Sequence, residues 1–125
     1  MITTEGISAR DALAAAMSED VLLESVIALA RALGWKVHHC RPARKLDGSW
    51  STPVQGDPGY PDLTLAKVGR LMFVELKSER GSLSAQQRAW LNILEREAEV
   101  WVWKPHDWLS GEVESQLRGL VPRDE

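Results

Sequence analysis

Between Arg70 and Lys77 the chain reads RLMFVELK, a run apolar enough for a buried strand that nonetheless carries a carboxylate at Glu75 and an ammonium at Lys77. Alternate residues of a strand face opposite sides. Met72, Val74 and Leu76 therefore form a wholly apolar face that belongs against a helix. Phe73, Glu75 and Lys77 share the other face, with both charges at its C-terminal end. Upstream, PDLTLA (61–66) reads as a second strand, joined to the first by a tight turn at Lys67-Val68-Gly69. If Asp62 opens that antiparallel neighbour, its carboxylate lies beside Glu75 and Lys77. Two acids and a lysine at one sheet end then form either a solvated ion-pair cluster or an oxygen-rich site. Such a site suits a hard divalent cation such as Mg²⁺, which takes one or two protein carboxylates and completes its shell with water and phosphate oxygens.

The surrounding pattern alternates helix and strand. EDVLLESVIALARAL (19–33) has apolar residues at three- and four-residue spacing, with Ser18 as N-cap and Gly34 as stop. WKVHHCR (35–41) reads as a strand, SLSAQQRAWLNILEREA (82–98) as a helix and EVWVW (99–103) as a strand ended by Lys104-Pro105. A minor leading helix covers about 8–17, and the tail offers at best the short amphipathic GEVESQLRGL (111–120). The stretch from Pro42 to Tyr60, rich in Pro, Gly and Ser, suits neither helix nor strand. Structureless stretches of that length in compact domains are commonly functional or disordered. The expected order is helix, three strands, helix, strand: an α/β fold with a mixed central sheet flanked by helices.

At 125 residues there is room for one core and one domain, 1–125. No apolar run approaches the roughly 20 residues of a membrane helix, and the N-terminus lacks the pattern of a secretory signal. With a lone cysteine, Cys40, no internal disulfide is available, which fits a reducing compartment. We therefore expect a cytoplasmic protein with no membrane partner. The net charge of -3 argues mildly against bulk attraction to nucleic acid, but an acid-bound cation reverses charge locally.

Two more residues point toward the same place. At 100° per residue, Glu19 falls in the arc of Leu22, Val26, Leu29 and Leu33, whereas Glu24 lies opposite. An inward acid in a first turn serves either a site or the helix dipole. Gln87 lies on the stripe of Trp90, Leu91, Leu94 and Ala98 and is also the N3 residue of a capping box begun by Ser84; the two roles are compatible. His39, on the face of Trp35 and Val37, either approaches the site or packs as a polar core residue. His38, His39 and Cys40, being consecutive, cannot converge on one zinc ion from a strand. Arg41, Arg44 and Lys45 are the densest basic cluster and serve either phosphate contact or solvation of the loop. Trp50 either stacks on an unpaired base or anchors that loop. Trp101 and Trp103 share a face better suited to a core or a dimer interface than to a DNA platform.

These residues carry a resemblance. GDPGYPDLTL followed by LMFVELKSERGSLSAQQRAWLNIL resembles the signature of the virus-type replication-repair nuclease (VRR-NUC) family of the PD-(D/E)XK superfamily: G-x-P-D-L, V-E-L-K, a glycine, L-S-x-x-Q and a tryptophan. SEDVLLESVIALARALGWKVHH resembles its opening helix and strand, so the likeness spans about 18–105. The resemblance implies an αβββαβ restriction-endonuclease-like core. It also implies a Mg²⁺- or Mn²⁺-dependent endonuclease, with Asp62 and Glu75 as metal ligands and Lys77 as the catalytic lysine. Glu19 would be the helix-one acid and further ligand, and Gln87 the accessory glutamine. One departure is Leu23, where the family often has glutamine. Stand-alone members are similar to Holliday-junction resolvases and act as homodimers on branched DNA in replication and repair, in a bacterial or phage-infected cytoplasm. The rival readings are a non-catalytic nucleic-acid-binding subunit of the same fold, or a nuclease for flaps, single strands or restriction sites.

Overall fold

The computed structural model describes residues 8–39, 43–44, 46–48, 50–51 and 55–120. Its first helix, α1 (Ala9–Ala16), starts at Ser8, whose hydroxyl accepts from the Asp11 N–H. The second, α2 (Glu19–Ala32), starts at Ser18, which accepts from Val21 N–H. It ends as Gly34 implies. Gly34 takes φ +91°, and the N–H groups of Gly34 and Trp35 donate back to Arg31 and Ala30 carbonyls, a Schellman closure that satisfies the last turn.

Four strands form the main sheet: β1 (Lys36–His39), β4 (Leu63–Lys67), β5 (Arg70–Leu76) and β6 (Glu99–Trp103), in the order β1-β4-β5-β6. The first two pairings are antiparallel and β5–β6 is parallel, which makes the sheet mixed. The β4–β5 turn is tight because Lys67 pairs directly with Arg70 and Gly69 takes φ +84°. Parallel pairing of β5 with β6 needs a crossover, supplied by α3 (Ala85–Leu94).

The two faces of β5 divide as its alternation requires. Met72, Val74 and Leu76 are fully buried in a cluster with Leu22 and Val26 of α2, Trp103 of β6, and Val113 and Leu117. Trp101 packs against that cluster and its ring stacks 6.3 Å from Trp103, so the aromatic face of β6 is core. Phe73 and Glu75 look the other way, toward α3. The helix expected for the tail is α5 (Glu112–Arg118), and α4 (Pro105–Leu109) precedes it. Reading Pro105 only as a strand stop missed α4. Proline is well suited to a first helical position, where no N–H partner is needed, and Asp107 accepts from Lys104 N–H at 2.8 Å.

The stretch from Pro42 to Tyr60 is a second correction. It contains a two-stranded hairpin, β2 (Ala43–Arg44) with β3 (Trp50–Ser51). Two-residue strands are too short to leave a periodic signature, so the sequence gives no sign of them. Among the described residues, no helix is long and apolar enough to cross a membrane.

Candidate active site

Leu63 pairs with Val74, and continuing that register one residue sets Asp62, the residue just before β4, opposite Glu75. Side chains opposite each other in an antiparallel pair share a face, so the hairpin brings two carboxylates together. Asp62 is fixed twice. Its Oδ2 accepts from the Leu76 N–H at 2.8 Å, and its main-chain carbonyl lies 2.9 Å from His39 Nδ1. A carbonyl only accepts, so Nδ1 carries the proton there. His39 thus reaches the site through the backbone of Asp62, an arrangement the alternation of β1 could not specify.

Glu75 is 2% exposed. Its Oε2 accepts from Gln87 Nε2 at 2.9 Å and lies 3.4 Å from Lys77 Nζ. Its Oε1 is buried and has no hydrogen-bond partner among the described residues. Burial, then the charge of Asp62, push the Glu75 carboxyl up to about 7, and the nearby Lys77 ammonium only partly offsets them. A buried oxygen without a donor is costly, and neighbouring acids each disfavour the other's charge. The pair carries a repulsion that the Lys77 ammonium only partly offsets.

Gln87 performs both tasks set by its position. Its Oε1 accepts from the Ser84 N–H while Ser84 Oγ accepts from Gln87 N–H, closing the capping box. The amide nitrogen is left to face Glu75. The two neighbours decide the orientation of the amide, since only oxygen serves one and only nitrogen the other.

Glu19 departs from the inward placement expected of it. The residue is exposed, because burial along α2 begins only at Leu22 and the arc argument presumes cover along the whole helix. Its carboxyl still belongs to the same electrostatic neighbourhood. Partial burial first, then Asp62, raise its pKa, and Lys77 lowers it. Asp62, Glu75 and Glu19 do not close into a three-acid cluster; among the described residues no group of three His, Cys, Asp or Glu side chains could hold an ion. The residues that fit a divalent cation are therefore Asp62 and Glu75, a hard-oxygen pair with one orphaned oxygen, leaving most of the shell to water and substrate.

The basic cluster gives less. Arg41 and Lys45 lie outside the described residues, as does Cys40. Arg44 and Trp50 are placed only as members of β2 and β3.

The segment that delivers Asp62 belongs to the GDPGYPDLTL signature, but how it packs is not legible from that signature. Gly59 has φ +97°, and a Cβ there would lie 2.6 Å from the Gln86 carbonyl carbon. Trp90 Nε1 donates to the Asp57 carbonyl at 3.3 Å. Tyr60 sits edge-on between Trp90 and Phe73, with centroids 5.0 and 6.1 Å away. The available signals were Gly59 before Pro61-Asp62 and the single tryptophan of α3.

The VRR-NUC domain model matches residues 8–104, the stretch that holds all of α2, the four-stranded sheet, α3 and the paired acids. No curated protein and no solved structure matches the chain. With a match over most of its length, the chain belongs to the VRR-NUC family, a nuclease-type domain.

Proposed function

We propose that the chain is a Mg²⁺- or Mn²⁺-dependent DNA endonuclease that hydrolyses phosphodiester bonds, acting as a homodimer on branched DNA such as Holliday junctions. The observation that carries the metal-dependent reading is Glu75: a buried carboxylate beside Asp62, with one oxygen held by Gln87 and the other without a partner among the described residues. When bound, a divalent cation there supplies a more acidic water and polarises a phosphoryl oxygen.

The protein's own groups divide the remaining work. Asp62 and Glu75 would hold the cation, and the Leu76 N–H and Gln87 amide keep their carboxylates from rotating. Lys77, 14% exposed at its side chain, is close enough to the surface to meet a phosphate and offset the charge that develops on it. Glu19 stands at the rim, where an exposed acid sensing Asp62 and Lys77 can orient a water. In the reaction a water oxygen bonds to phosphorus as one ester P–O bond breaks. The leaving oxygen takes up a proton, and the other proton of the water goes to solvent. A four-way junction needs two cuts and one chain provides one such site, so two copies act together on that substrate.

The test is a panel of labelled four-way junction, flap, duplex and single-stranded DNAs with Mg²⁺ or Mn²⁺. We expect paired cuts in the junction and none with EDTA or with Asp62→Ala. Preferred cutting of flaps or single strands would replace the branched-DNA reading. Binding without cleavage of any substrate would overturn the catalytic one in favour of a DNA-binding subunit.

A further inference from the structure

Asp62 and Glu75 are delivered to the site by different means. Glu75 is built into a central strand, whereas Asp62 ends an irregular segment, 55–62, which no ladder of backbone hydrogen bonds holds. Asp62 itself is anchored by the Leu76 N–H and by His39; the residues that lead into it are held by α3. The Trp90 indole N–H donates to Asp57 O, and the Trp90 ring meets Tyr60 at 84°. The Tyr60 hydroxyl in turn reaches Thr64 Oγ1 at 3.1 Å on β4. At Gly59 the segment lies flat on the Gln86–Gln87 peptide, with a built Cβ only 2.6 Å from Gln86 C and 2.8 Å from Gln87 N. No side chain fits, and the positive φ disfavours one in any case.

The peptide on which this segment rests is the one that carries Gln87, whose side chain holds Glu75. The first two turns of α3 therefore touch Glu75 directly through Gln87, and the residues that lead into Asp62 through Trp90 and the Gly59 contact. We propose that Trp90 is a positioning residue that fixes the Asp62–Glu75 spacing and so sets the affinity for a divalent cation, while touching neither cation nor DNA. This rests on the metal-dependent reading above. Site geometry held by supporting residues governs metal affinity elsewhere, where loss of such a partner costs about 10- to 100-fold.

The test is Mn²⁺ binding to the full chain by isothermal titration, with cleavage measured separately as a function of Mn²⁺. Trp90→Ala should weaken Mn²⁺ binding at least tenfold, and Trp90→Phe, which keeps a ring for Tyr60 but loses the N–H, about threefold. Gly59→Ala, which disturbs the same contact from the other side, should match Trp90→Ala. Ile93→Ala, at an exposed position of the same helix, should bind as wild type. At saturating Mn²⁺ the Trp90 variants should recover a near-normal kcat, because Glu75 and Lys77 are unchanged; general loss of structure would not give that split. Tight Mn²⁺ binding by the wild type, matched by Trp90→Ala and Gly59→Ala, would overturn the positioning role and leave the metal reading standing. Failure of the wild type to bind Mn²⁺, or equal binding by Asp62→Ala, would overturn both.

Discussion

Strand β5 carries a charge at each end, and the two ends are solved in opposite ways. At the start, Arg70 meets Glu99 in a two-pronged pair, Nε to Oε2 at 2.8 Å and Nη2 to Oε1 at 2.6 Å. The guanidinium also lies 4.9 Å from the Trp35 ring centre, and both Arg70 and Trp35 donate to the Leu117 carbonyl. Both oxygens of Glu99 have donors. At the far end Glu75 is more deeply buried, yet it faces a second acid and a lysine at 3.4 Å, and among the described residues one of its oxygens has no donor. Bidentate arginine–carboxylate geometry satisfies both partners; a lone ammonium beside two acids does not. The first arrangement ties α5 to the sheet through a satisfied ion pair, and the second leaves two acids side by side with one lysine to offset them.

Removing each acid breaks the comparison most directly. Glu75→Ala should lower cleavage by about a thousandfold or more, on the order of 4 kcal/mol of transition-state stabilisation. In EDTA its melting temperature should stay at or above that of wild type, since a buried repulsion leaves with it. Glu99→Gln should do the reverse, with cleavage nearly intact and stability down by about 2 kcal/mol. That is below the range for wholly buried pairs because Arg70 is partly exposed. Single-turnover cleavage and chemical denaturation in EDTA measure both, and a strongly destabilised but active Glu75→Ala would erase the distinction.

Acidity sharpens it. An unfolded chain releases the Glu75 proton near the ordinary 4.5, whereas the folded chain holds it to about 7. The folded state therefore gains stability from that proton below about 4.5 and loses the gain as pH rises through 7. In EDTA the wild-type melting temperature should fall between pH 5 and 8 more than that of Glu75→Gln does. Mn²⁺ should restore the wild type at pH 8, because a ligand of the folded state alone stabilises it. Parallel pH profiles for the two proteins would show that Glu75 is not the group responsible.

The smallest contrast lies within α2. Glu19→Gln should slow cleavage about tenfold, equivalent to roughly 1.4 kcal/mol, because its carboxyl senses Asp62 and Lys77. Glu24→Gln, on the outer side of the same helix, should cleave almost normally. The opposite ranking in single-turnover assays would remove Glu19 from the site.

What the sequence made legible follows from the range of each signal. Alternation in RLMFVELK fixed which face Glu75 takes, and the tight turn at Gly69 fixed the register that sets Asp62 against it. Both are local rules with a period, and both describe the observed strands. Gln87 was readable twice, from the capping box and from the helical stripe. Glu19 was misread because periodicity reports direction around a helix but not where along it the cover begins. The hairpin of β2 and β3 and the short α4 lack a repeat long enough to register. The contact of Gly59 with Gln86 joins segments 27 residues apart, and no pattern within either segment encodes it.

Gln87 imposes one further constraint. An ordinary capping box accepts glutamate or glutamine at this position, since only an oxygen is needed to receive the Ser84 N–H. Here the second terminal atom faces Glu75 Oε2, so glutamate would cap the helix equally well and set a third negative group against the acids. The choice between two residues that helix formation treats as equivalent is thus made by the sheet below. A substitution that any measure of helix propensity would pass as silent would remove a donor from Glu75 and add a repulsion in its place.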